Sequence, residues 1–178
     1  SLKFTPESIE YAMAKGGKIA GKYSNDAAKQ KRWLPSNFRL RIDGISDEDM
    51  KAVNKVDALV IKQKNTTNAV GEHRLPQIEP GYLEIPNVSF SLAESHALDF
   101  YKWHKQMVID GKNTEDLEKG GSLVYLGSDL TTELFTVTFK HLGIFKITPD
   151  KSEGHAEGIR RVKVEMYCEE MTLAYTGT

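Results

Sequence analysis

The sequence predicts a mainly β fold of the α+β kind: two packed antiparallel sheets in a sandwich- or barrel-like domain, flanked by one α-helix. Three observations predict it. From Tyr82 to Ala93, Leu83, Ile85, Val88, Phe90 and Leu92 alternate with polar residues. Around Leu98–Val108 the spacing turns helical. From Ile159 to Tyr175 alternation returns over an unusually long stretch. Alternation buries one face of a sheet and wets the other, whereas three-to-four spacing makes a one-sided helix.

The elements follow in order. Thr5-Pro6-Glu7 reads as a helix start, with a Thr cap and Pro at the first helical position. Gly16-Gly17 ends that short helix. Residues 1–36 hold seven Lys/Arg against three Asp/Glu, and residues 37–178 hold 17 against 22. The expectation is a basic N-terminal extension, 1–36, on an acidic β domain, 37–178. Such an arm can dock on a neighbour or stay solvated.

Phe38–Ile42 alternates strictly and turns at Asp43-Gly44. Val56–Lys64 reads as a second strand. Asn65 to Pro80 is polar and reads as a long loop, the kind that carries function in a small domain. Tyr82–Ala93 reads as one strand with a slip at Pro86-Asn87. Ser95 reads as the cap of a helix over about 97–110, with Phe100, Trp103 and Met107 as its core face. Ser122–Leu126 and Glu133–Phe139 read as a hairpin around Gly127-Ser128-Asp129, and Leu142–Thr148 continues it. Lys151–Gly158 is a polar turn. In the closing strand the phase slips at Glu169-Glu170, which suggests a bulge.

Chemistry is hard to find in this pattern. His73, His96, His104, His141 and His155 have no metal-ligand spacing along one element. There is no phosphate loop and no nucleophile elbow. Neighbouring strand residues point to opposite faces, so Glu169 and Glu170 are not expected to share a proton. The reading assigns no catalytic residue, metal or cofactor. The single Cys168 alternates with Met166 and Val164 and is expected to be a buried, inert thiol. No run approaches the ~20 apolar residues of a membrane helix, and the first 20 residues do not read as a secretory signal. Folding in a reducing cytoplasm is expected. Clustered Lys/Arg for tight nucleic-acid binding is lacking. What remains is long strands whose edges need protection or a partner. Val162, Val164 and Met166 are the expected edge through which copies pair, closing a ring if the rotation allows.

These segments together resemble a known family: the tail tube proteins of contractile-tailed phages and related contractile injection systems. Asn37-Phe38-Arg39-Leu40-Arg41-Ile42-Asp43-Gly44 is similar to the family's opening strand and turn. Val53 to Leu59, with Val56-Asp57-Ala58-Leu59, resembles the entry to its second strand, with Ala58 where Gly is often found. Ile85-Pro86-Asn87-Val88-Ser89-Phe90 is similar to the strand before the helix, and Leu98–Trp103 to the helix with its Trp. Gly121-Ser122-Leu123-Val124-Tyr125-Leu126, Phe139-Lys140-His141 and Val162–Leu173 resemble later strands. Leu92-Ala93-Glu94 and Gly143-Ile144 depart from the family's usual residues there. The likeness spans 37–175.

The resemblance implies a structural, non-enzymatic subunit. Hexameric rings would stack into a hollow tube inside a contractile sheath. Partners would be further copies, the sheath protein, and baseplate and tube-terminator proteins. DNA or protein cargo would pass without tight binding, and there would be no membrane insertion. The place would be a virion tail or injection particle, assembled in the bacterial cytoplasm. Asn65, Thr66, Thr67, Asn68, Glu72, His73 and Arg74 are then expected to contact the adjacent ring. Glu84, Ser89, Ser91, Lys163, Glu165 and Tyr167 are the candidates for the lumen wall. A baseplate or tube-end adaptor of the same fold is the alternative. A monomeric small-ligand β-barrel, or an enzyme with an unrecognised site, is a reading from another class.

Overall fold

A computed structural model describes residues 33–68, 77–153 and 158–176. The expected N-terminal helix, most of the basic extension, and Glu72, His73, Arg74 and His155 lie outside the described residues. The chain divides into two compact units. One contains Lys62–Glu84; the other contains the described residues on either side of it.

The larger unit is built on a six-stranded antiparallel sheet. Its strands are β1 (Phe38–Ile42), β2 (Val53–Val56), β5 (Val88–Ala93), β6 (Lys119–Leu126), β7 (Glu133–Pro149) and β8 (Arg161–Tyr175), in the order β1-β6-β7-β8-β5-β2. The sheet curls into a nearly closed barrel. Its two ends, β1 and β2, are joined by the short helix α1 (Asp47–Lys51). Ser46 caps α1 by accepting from the Asp49 backbone N–H at 3.1 Å, and Asp47, Glu48 and Asp49 sit in the electropositive first turn.

Alternation places Leu40, Ile42, Val88, Phe90, Leu92, Val137, Phe139, Val162, Val164 and Met166 in one core. Helix α2 (Leu98–His104) packs on it through Phe100 and Trp103, and continues as a π turn, Lys105–Ile109, that buries Met107. Phe100 meets Phe90 edge-on, with centroids 5.4 Å apart. The Trp103 indole N–H donates to the Leu117 carbonyl at 2.9 Å, so its one polar atom is satisfied. The helix cap falls on Ala97 with no side-chain bond, not on Ser95, which sits in a preceding 3-10 turn.

Three strand expectations need correction. Val56–Lys64 is not one strand: β2 ends at Val56, and β3 (Lys62–Asn68) belongs to the other sheet. Tyr82–Ala93 likewise divides into β4 (Gln77–Glu84) and β5, in different sheets, with Pro86 in the break. Of the expected loop Asn65–Pro80, the described ends, 65–68 and 77–80, are paired strand residues of β3 and β4. Its threonines suit an extended backbone, and solvent on both faces removes the apolar alternation that would have revealed it.

The bulge also differs. A register shift falls at Phe145 of β7, between Ile144 and Lys146. At Glu169-Glu170 the register is unbroken, Lys140↔Glu170 and Leu142↔Cys168. The phase nevertheless inverts, because both strands turn two consecutive residues outward. Phe139 and Leu142 flank Lys140-His141 on one strand; Cys168 and Met171 flank Glu169-Glu170 on the other. His141 has φ 53°, a left-handed value uncommon outside glycine, which allows the inversion. Glu169 and Glu170 therefore share the outward face, contrary to the alternation rule.

Candidate functional site

The long strands decide what the molecule offers a partner. Val162, Val164 and Met166 are not an edge. They pair with β5 on one side (Leu92, Phe90, Val88) and β7 on the other, and their side chains are fully buried. β8 is laddered on both sides over this stretch, so the expected edge role there is corrected. β5 stops at Val88, opposite Met166, and beyond it β8 runs on to Tyr175 with, among the described residues, only β7 beside it.

The free groups on that overhang can be assigned. The Thr176 N–H donates to the Leu134 carbonyl at 3.1 Å. In an antiparallel ladder bonded and non-bonded pairs alternate. With Phe135 opposite Tyr175 and Val137 opposite Leu173, the backbone groups of Met171, Leu173 and Tyr175 point away from β7. Their side chains are apolar, and Leu173 is 51% exposed. An exposed, apolar, unpaired edge is a template for another strand.

The overhang is braced. Tyr125, Phe135 and Tyr175 are successive cross-strand partners on β6, β7 and β8. Trp33 lies over all three, its centroid 6.2–6.3 Å from each.

The outward face of β5, β7 and β8 is polar. Ser89 stands beside Glu165, and Ser91 beside Lys163. Lys146 pairs with Glu165 at 2.9 Å, and Asp57 bridges Lys163 at 2.9 Å and Lys55 at 3.1 Å. The Lys163 and Lys55 ammonium groups hold the Asp57 carboxyl below its ordinary range, and Asp57 raises Lys163 in return. Tyr167 lies on the same face and donates to Glu118 at 2.7 Å. Burial, then that bond, pushes its phenol up to about 12. The structure thus brings together Ser89, Ser91, Lys163, Glu165 and Tyr167. Glu84 belongs to the other sheet, where it pairs with Lys64 at 3.2 Å.

In the smaller unit, Asn65, Thr66, Thr67 and Asn68 lie along β3, opposite Pro80, Glu79, Ile78 and Gln77. A side chain at Gly81 would place Cβ 2.9 Å from the Lys64 carbonyl, so glycine permits the close strand approach.

Cys168 is buried, its thiol raised chiefly by burial and donating to the Glu170 carbonyl at 3.1 Å. One grouping escaped sequence reasoning. Glu118, His141 and Glu169 converge on the outward face. They are far apart in sequence, and only the row Lys119–Leu142–Cys168 across β6, β7 and β8 brings them together.

No family model and no curated protein matches the chain by sequence. Solved structures match its fold. A chain from the cryo-EM structure of the anti-feeding prophage cap, the AFP tube-terminating cap, aligns with TM-score 0.67 at 14% identity over 90% of this chain and 100% of that one. A chain from the PVC sheath–tube complex, an extracellular contractile injection system in its extended state, gives 0.65 at 12% identity over 88% and 100%. Hcp1 from Salmonella typhimurium gives 0.51 at 21% identity over 78% and 85%. At these identities the likeness establishes a shared fold: this chain has the fold of tube and cap subunits.

Proposed function

We propose that this chain is a structural subunit of the inner tube of a contractile phage tail or phage-like injection system. Six copies close into a ring, and rings stack into a hollow conduit for DNA or protein cargo inside a contractile sheath. The observation that carries this reading is the open β8 edge, Met171–Tyr175, on a fold shared over nearly the whole chain with tube and cap subunits. Strand addition at such an edge supplies backbone hydrogen bonds, and apolar Leu173 and Tyr175 add burial. Further copies, sheath, baseplate and terminator proteins are the partners, in a particle assembled in the bacterial cytoplasm. The β3–β4 hairpin, with Asn65–Asn68 and the following Glu72, His73 and Arg74, makes the contact between rings.

The lumen wall is the outward face carrying Ser89, Ser91, Lys163, Glu165 and Tyr167. Its charges are paired, so a polyanion or a polypeptide finds few sites to hold it. In tubes, Ser89→Cys should label slowly with a bulky thiol reagent; immediate labelling would place that face outside.

Likeness to the tube-terminating cap favours a second reading, a tube-end subunit that hexamerises without elongating. Electron microscopy of the purified full chain separates the outcomes. Stacked tubes support the first reading and single rings the second. Monomers at all concentrations would overturn both and favour a ligand-binding barrel. The interior occupied by Phe90, Phe100, Phe139 and Met166 argues against that.

A further inference from the structure

The cluster on the outward face is a feature that ring assembly does not require. Glu118 immediately precedes β6; His141 and Glu169 belong to the outward pairs of β7 and β8. One ligand atom from each lies within 4.8 Å of the others. The Glu118 side chain is only 10% exposed. One of its oxygens meets the His141 Nδ1 at 2.8 Å, and the other accepts from the Tyr167 hydroxyl at 2.7 Å. Among the described residues no Lys or Arg pairs with it. The nearby Lys140 is taken by Glu170 at 2.7 Å. Within the chain its polar partners are thus the His141 imidazole and the Tyr167 hydroxyl, and the exposed Glu169 carboxylate stands close by.

We propose that Glu118, His141 and Glu169 form a binding site for a zinc-type divalent cation. Two carboxylates cancel the double charge, and a neutral imidazole supplies the borderline-soft nitrogen that such ions prefer. Ligand atoms about 2.1 Å from zinc stand about 3.4 Å apart. The ligand atoms here lie within 4.8 Å of one another, and Glu169 and His141 are exposed. The Tyr167 hydroxyl fixes Glu118 from the far side, as groups behind a metal ligand commonly do. Calcium and magnesium, which want six or more oxygens, fit poorly. The bound ion ties the start of β6 to the paired outward turns of β7 and β8. The site lies within one chain and does not rest on the tube reading.

The test uses the full chain, stripped with EDTA and dialysed. Calorimetric titration with zinc chloride gives the dissociation constant, and thermal unfolding is followed without metal and at about 100-fold excess over that constant. The expected rise in Tm is about 5–10 °C. Magnesium chloride should give no rise. Glu169→Gln changes an exposed side chain, and His141→Asn keeps a residue that tolerates the left-handed backbone. Each should unfold near the parent temperature without metal and bind zinc at least about tenfold more weakly. No rise with zinc would overturn the proposal. So would an equal rise in both variants, which would place the ion elsewhere, for example at His96 and Asp49.

Discussion

Proline at Leu173 tests the open edge directly. The Leu173 N–H points away from β7, so proline there leaves the β7 ladder whole. Proline is tolerated on a strand edge when the missing donor faced solvent. In a ring the same donor would meet the carbonyl of a neighbouring copy. Leaving that carbonyl buried without a partner costs about 1–3 kcal/mol per interface. That is about a 5- to 150-fold weaker contact at each junction, and closure needs every junction. Leu173→Ala serves as control, because it removes the apolar side chain and keeps the donor. Circular dichroism should show both variants folded. Native mass spectrometry and electron microscopy should show rings for Leu173→Ala and mostly monomers for Leu173→Pro. Rings from a folded Leu173→Pro at the parent's concentration dependence would refute the edge. Val164→Pro is the instructive contrast. Val164 lies between Phe90 and Ile147 in a stretch of β8 laddered on both sides, so its N–H is held inside the sheet. It should also give no rings, because it gives no folded subunit. The ring assay alone cannot tell the two apart; loss of the cooperative unfolding transition in Val164→Pro can.

Three further outcomes are expected. Replacing Thr67–Ile78 by Asn-Gly closes the hairpin on the retained Thr66–Glu79 pair; rings should persist and stacked tubes disappear, and tubes of parental length by electron microscopy would rule out the stacking role. Because the Asp57 carboxyl is held below its ordinary value of about 3.9, its contribution is present above that pH and lost as pH falls below it toward the folded value. Tm should therefore fall less steeply in Asp57→Asn than in the parent as pH drops from 5 to 3, and parallel curves would refute the link. A side chain at Gly143 would run into the Tyr167 ring; Gly143→Ala should cost about 1–3 kcal/mol by denaturant unfolding, and almost nothing in a Tyr167→Ala background, whereas equal losses in both backgrounds would contradict the clash.

The sequence carried the core strands because burial imprints a period on them. Leu40 and Ile42, Val88, Phe90 and Leu92, and Val162 through Cys168 alternate and are buried accordingly. It hid the β3–β4 hairpin because residues such as Lys62, Gln63 and Thr66 are exposed on both faces, so no alternation was required of them. It misplaced the edge because Val162–Met166 looks, in one dimension, like any long strand. Only the short reach of β5 shows which half of β8 lacks a second neighbour among the described residues. The phase slip at Glu169-Glu170 was visible. Its partner at Lys140-His141 was written in the same way, as two polar residues between Phe139 and Leu142, yet reading it needs the register. The Glu118, His141 and Glu169 grouping had no local signature at all.

The paired inversion and the open edge are one device. Had β8 kept the phase of Val162, Val164, Met166 and Cys168, its inward residues beyond that point would have been Glu170, Thr172 and Ala174. A polar stretch would then face the core, and Met171, Leu173 and Tyr175 would stand on the wet face. A bulge in β8 alone would have cured this but shifted its register against β7. Turning both strands at facing positions restores the apolar phase and keeps the pairs from Leu142↔Cys168 to Phe135↔Tyr175 in step. Tyr175 thereby joins Tyr125 and Phe135 beneath Trp33. The overhang is therefore held by β7 and an aromatic stack before any partner arrives. An edge already ordered loses less conformational freedom on binding, so more of each hydrogen bond and buried side chain appears as affinity. Removing the stack with Trp33→Ala should accordingly weaken ring formation while leaving the backbone groups of Met171, Leu173 and Tyr175 untouched. Rings from Trp33→Ala with unchanged concentration dependence would show that the edge does not need that preorganisation.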